Sequence, residues 1–108
     1  MKILVLTETD ACCGPMAAAF LRDYSTSNEV VSVGHNPSGA VDPLAVTVMK
    51  ECLIDLSGYV PKDAKTMKVS DFDAIYKCPE CSCTKTIEAY RGMRDYVKNE
   101  AYLYFRSL

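Results

Sequence analysis

The chain has no long apolar run, no excess of one charge, and a single histidine. Each shortage removes a class of function. Its longest apolar stretches fall far short of the roughly 20 residues a membrane-spanning helix needs, so no membrane partner is expected. Twelve Lys and Arg stand against 14 Asp and Glu, a net charge of −2, which gives no electrostatic footprint for nucleic acid. The opening apolar run, residues 3–6, is too short and too quickly followed by acids to act as a secretion signal. The expected location is therefore cytoplasmic. His35 lies in a Gly/Pro-rich loop and reads as a surface residue.

What the chain does have is cysteine. Six in 108 residues would suggest three disulfides in a secreted domain. Without an export signal, free thiols, redox chemistry or a metal site are the readings to weigh. Cys52 is set apart because it continues the apolar stripe Ala45, Val48, Met49, and it is expected in the core.

The length fits one domain, residues 1–108, with a single core. Residues 3–6 form a continuous apolar run, the mark of a strand covered on both faces. Alanine-rich residues 16–24 read as a helix, with Pro15 in its first turn. Residues 30–33 make a second strand. Asp42 then caps a helix that has Pro43 at its first position. Residues 61–68 suggest a short helix, and residues 74–77 a third strand. Tyr90, Met93, Val97, Ala101 and Tyr104 mark one face of a long final helix. Tyr102 and Phe105 lie off that stripe, where they could pack against a partner chain.

Strands alternating with helices predict an α/β fold, a three-layer sandwich around a small parallel sheet of three or four strands with right-handed crossovers. In such sheets the functional crevice lies beyond the strand C-termini. Cys12 and Cys13 fall there after the first strand, and Cys78, Cys81 and Cys83 after the third. Five thiols are thus expected along one mouth.

The loop of residues 7–13 leads from strand to helix, the layout of an anion-binding loop. It contains Glu8 and Asp10 but no Lys or Arg. A carboxylate about 5 Å from a unit negative charge costs on the order of 3 kcal/mol at an effective dielectric of 20. Two of them facing the mouth would oppose a dianion and favour a cation.

Three stretches carry a family resemblance. They are Cys12-Cys13-Gly14-Pro15-Met16-Ala17; then Ser32-Val33-Gly34, Val41-Asp42-Pro43-Leu44-Ala45-Val46, Met49-Lys50-Glu51, Ile54-Asp55-Leu56-Ser57 and Pro61-Lys62; then Phe72-Asp73-Ala74-Ile75 running into Cys78. In order and over about 80 residues, the chain resembles the low-molecular-weight protein tyrosine phosphatase and arsenate reductase superfamily. The resemblance implies the phosphotyrosine protein phosphatase I-like fold. It also implies a degenerate phosphate loop at Thr7, Glu8, Thr9, Asp10, Ala11, Cys12 and Cys13. Thr7 stands where the family has its nucleophilic cysteine and Cys13 where it has arginine, and the late Asp-Pro that would carry the general acid is missing.

Ordinary phosphotyrosine hydrolysis is therefore not expected. In the arsenate reductases of the superfamily a resolving cysteine follows the third strand, a position Cys78 matches. That implies thiol/disulfide chemistry with Cys12 or Cys13 attacking and Cys78 or Cys81 resolving, alongside a small-molecule or protein thiol partner. Two alternatives stay open. Cys12, Cys13, Cys78, Cys81 and Cys83 could instead ligate zinc or an iron–sulfur cluster, since Cys-x-x-Cys is a half-site for either. Or the scaffold could be a catalytically dead module that binds another protein.

Overall fold

A computed structural model describes residues 1–78 and 84–108. Three parallel strands, β1 (Lys2–Thr7), β2 (Glu29–Gly34) and β3 (Ala74–Lys77), lie in the order β2-β1-β3. Leu4 is paired with Val31 on one side and Ile75 on the other. The central strand is the one with the unbroken apolar run, as burial on both faces requires: Ile3, Leu4 and Val5 are each at most 2% exposed.

Helix α1 (Cys13–Tyr24) follows β1, and every residue from Cys13 to Leu21 is buried. Ala17, Ala18 and Ala19 keep its surface low, so it packs closely on the sheet and on α3 (Ile87–Ser107). Phe20 and Met16 supply bulk to the same core as Ile3, Val5, Tyr90, Val97 and Ala101. Each such large side chain contributes roughly 2–3 kcal/mol by leaving water. Arg22, in the last turn of α1, donates to the Val30 carbonyl at 2.8 and 3.1 Å and fastens the helix to β2. Helix α2 (Pro43–Lys50) starts as its sequence dictates, with the Asp42 carboxylate accepting from the Leu44 N–H at 3.0 Å and proline in the first turn. No helix among the described residues is long and apolar enough to cross a membrane.

Two expectations need correcting. The stripe of α2 ends before Cys52, which sits in the turn after the helix and is only partly buried. Residues 61–68 yield one 3-10 turn, Ala64–Thr66, capped by Asp63, and a second turn follows at Val69–Asp71. Tyr102 and Phe105 have a neighbour within the chain, their rings lying 5.4 and 5.8 Å from that of Tyr24, while Tyr102 stays 41% exposed. The stripe of α3 does face the core, with Tyr90, Val97 and Ala101 buried and Met93 and Tyr104 packed beside them.

Candidate functional site

The loop after β1 is shaped by its main chain. Its carbonyls at Thr7, Glu8, Thr9 and Ala11 accept from the N–H groups of His35, Asn36, Ser38 and Asp42, at 2.7–3.1 Å. The loop after β2 therefore serves as a template for the loop after β1. Gly34 makes this approach possible, because a Cβ there would meet the Glu8 carbonyl oxygen at 2.8 Å and the Asp10 nitrogen at 2.9 Å. Gly14 plays the same part beneath α1, where a Cβ would lie 2.8 Å from the Thr7 hydroxyl and 3.0 Å from that of Ser32.

Asp10 is the turning point. It has φ 52°, the left-handed region that Asp and Asn tolerate better than most residues, and it is fully buried. Its N–H donates to the Thr7 Oγ1 at 3.1 Å. Its carboxylate accepts from the Ser32 hydroxyl, the Tyr59 hydroxyl and, at 2.9 Å, the Lys62 N–H. Burial, and after it the Asp10 carboxylate, push the Tyr59 phenol well above its ordinary pKa, so it stays a donor. Three donors satisfy one buried carboxylate. Asp10 therefore points under the loop, not into its mouth, while exposed Glu8 accepts from Asn36 Nδ2 at 2.8 Å at the rim. The orientation that the sequence left open is thus resolved: one of the two carboxylates is a structural strut and the other lies at the rim.

The thiols are divided. Cys13 opens α1, is buried, and sets its Sγ 3.6 Å from the Met93 Sδ. It is disulfide-bonded, while Cys12, Cys52 and Cys78 lie outside any disulfide. Cys12 is partly exposed and lines a cavity of about 310 Å³ with Thr9, Asp42, Lys85 and Tyr90. Cys78 lies beyond β3, its N–H donating to the Leu6 carbonyl at 3.0 Å, and borders another cavity of about 360 Å³ with Thr7, Glu8, His35 and Lys77. Cys12 and Cys78 thus line separate cavities at this end of the sheet. Cys81 and Cys83 lie outside the described residues. Among the described residues no group of three or more His, Cys, Asp or Glu is placed to hold a metal ion.

Residues 2–101 match the low molecular weight phosphotyrosine protein phosphatase family. The chain belongs to that family. Solved structures agree in fold. The Vibrio vulnificus protein Wzb in complex with benzylphosphonate superposes with a TM-score of 0.86 at 17% identity, covering 99% of this chain and 98% of its own. An arsenate reductase in the reduced state gives 0.84 at 21% identity, over 99% and 98%. An arsenate reductase from Archaeoglobus fulgidus gives 0.81 at 17%, over 95% and 98%. No curated protein matches the sequence significantly.

In this phosphatase-family chain the cavity at Cys12 is organised by a second polar group. The Tyr90 hydroxyl donates to the Asp42 carboxylate at 2.5 Å and accepts from the Lys85 ammonium at 2.7 Å. Lys85 also reaches Asp42 at 3.3 Å. Burial alone would raise the Asp42 carboxyl, but the Tyr90, Leu44 and Lys85 donors together hold it below the ordinary carboxylate range. The Tyr90 phenol is raised, by burial first and then by Asp42. The Tyr90 and Asp42 partners likewise hold Lys85 above its ordinary value. The Asp42 N–H donates to the Ala11 carbonyl, so this network also reaches the loop backbone.

Sequence reasoning missed Ser32, Tyr59 and Lys85. Ser32 carried a signal, as a lone hydroxyl between apolar Val31 and Val33 of a strand that had to be buried. Tyr59 and Lys85 carried none, because each reaches its carboxylate, Asp10 or Asp42, across more than 40 positions of chain.

Proposed function

We propose that this member of the family works as a thiol–disulfide redox protein and not as a phosphotyrosine hydrolase. The observation that carries the reading is the disulfide at Cys13, on the first residue of the helix that follows the loop. The start of a helix favours negative charge, and so a thiolate over a thiol. Thr7, where the family resemblance places the nucleophile, is a poor alternative: it is buried and its oxygen accepts from the Asp10 N–H.

In the proposed cycle, reduced Cys13 and a second cysteine of the chain pass two electrons to a small oxidised, thiophilic substrate such as arsenate. Their S–S bond forms as the substrate is reduced, and for arsenate the two thiol protons leave with one oxygen as water. A dithiol reductant then cleaves the disulfide and is itself oxidised to one. Cys78 and Cys81 are the resolving cysteines that the family resemblance offers, and Cys78 lies outside any disulfide. The role passes to Cys81 or Cys83, with partly exposed Cys12 as the thiol able to enter exchange. A reducing cytoplasm suits such a cycle.

Thiol titration of the unfolded chain, before and after a dithiol reductant, tests this. The oxidised protein should titrate two fewer thiols than its six cysteines, and all six after reduction. Cys13→Ser should abolish the difference. Six free thiols in the air-exposed protein would sink the reading, as would aryl phosphate turnover that is lost in Cys12→Ser or Cys13→Ser.

A further inference from the structure

The end of α2 breaks a rule of helix termination. The Ile54 N–H returns to the Met49 carbonyl at 3.1 Å and the Leu53 N–H to the Lys50 carbonyl at 2.9 Å. This pair of bonds is the Schellman pattern, which sets Leu53 in the left-handed position that glycine normally fills. Leu53 has φ 63°. A leucine is held there against its backbone preference, and its side chain gains nothing from the fold, being 96% exposed.

Beside it lies a groove of about 450 Å³, lined by Val46, Lys50, Leu53, Ile54, Asp55 and Ser57. Val46 and Ile54 give it an apolar floor. Lys50 and Asp55 are exposed on its rim; Asp55 accepts from the Ser57 N–H at 2.8 Å and feels the Lys50 charge, but among the described residues the two form no ion pair within 4 Å. One patch thus presents a projecting leucine, an apolar recess and one charge of each sign.

We infer that this face is the interface of a two-fold symmetric dimer, with Leu53 of each copy seated in the groove of the other and Lys50 opposite Asp55. A two-fold interface brings the same patch from both chains together, so the patch must be its own complement. Knob with recess and cation with anion meet that condition, and the patch has no net charge to repel a second copy. A partner of a different kind would have no need for both halves of each pair on one surface. The patch is small beside the roughly 800 Å² per partner of a standard stable interface, so the dimer should dissociate on dilution.

Sedimentation velocity over a concentration series tests the proposal. The wild-type sedimentation coefficient should rise with concentration from monomer towards dimer. Leu53→Asp should stay monomeric throughout. Leu53→Gly should also stay monomeric yet melt no lower than wild type, because glycine adopts the left-handed turn without strain, which separates a lost interface from a lost fold. Lys50→Glu and Asp55→Lys should each be monomeric alone, by placing like charges opposite one another. Their equimolar mixture should dimerise, because both cross-pairs become attractive again. A wild type that stays monomeric at every concentration overturns the proposal. So does a dimer that persists in Leu53→Asp, or a mixture that fails to recover.

Discussion

The Tyr90 hydroxyl donates to the Asp42 carboxylate at 2.5 Å, and this one bond ties the start of α2 to the start of α3. A hydrogen bond to a charged group is worth about 1.5–3 kcal/mol. Tyr90→Phe should lower unfolding free energy by that much near neutral pH, measured by urea denaturation. The sign of its pH dependence follows from Asp42, whose pKa is held below the ordinary carboxylate value. The stabilisation is complete above the unfolded pKa and is lost as pH falls through the folded one. The gap between wild type and Tyr90→Phe should therefore be widest at neutral pH and close in acid, below about pH 4.

Asp10→Ala should be among the costliest single changes. It strands the Ser32 hydroxyl and the Lys62 N–H, leaves the Tyr59 hydroxyl only the Ser32 carbonyl, and puts a residue without a local acceptor at φ 52°. Buried donors left unmatched cost about 1–3 kcal/mol each, so a total of about 3 kcal/mol or more is expected in urea denaturation. Asp10→Asn, which tolerates the same backbone and keeps an acceptor oxygen, should lose clearly less.

Gly34→Ala probes the contact between the two loops. Its Cβ would press on backbone atoms of Glu8, Thr9 and Asp10, none of which is a flexible side-chain end. A loss of about 2–3 kcal/mol is expected, in the range of overpacked core sites. Amide shifts of residues 7–11 should move with it in an NMR spectrum. A Gly34→Ala variant as stable as wild type would contradict the template relation.

Glu51 offers a local electrostatic test. Hydrogen bonds from Arg91 at 2.7 Å and Arg94 at 2.8 Å hold its carboxyl down at about 2. Carboxyl-carbon NMR titration should find Glu51 the last of its kind to protonate. Arg91→Gln should move it up towards the ordinary value of 4.5. Added salt should do the same in part, since the pair faces water.

The fold could be read from the chain because its signals are local. A doubly covered strand must be apolar at every position, and Ile3-Leu4-Val5-Leu6 is. An Asp-Pro helix start is chemistry of adjacent residues, and Asp42-Pro43 behaves accordingly. The period of α3 placed Tyr90, Val97 and Ala101 inside. The site was less open to reading because it depends on the direction in which side chains point. Glu8 and Asp10 look alike in the sequence, yet one lies at the rim and the other is buried under three donors. The thiols show the same limit: topology brought the segments of Cys12 and Cys78 to one end of the sheet, and the two residues line different cavities there. Cys52 failed because the helical period was carried past the point where the Schellman turn ends it.

The loop after β1 takes its outline from four carbonyls, two glycines and one buried carboxylate. The side chains of Cys12 and Cys13 contribute no cap to the helix start they occupy or adjoin, and Glu8 reaches only the rim. The outline of the loop is therefore set by atoms other than its thiols. A lineage can exchange what the loop presents to a substrate and still inherit the same mould, which makes this a scaffold that can change trade without being rebuilt.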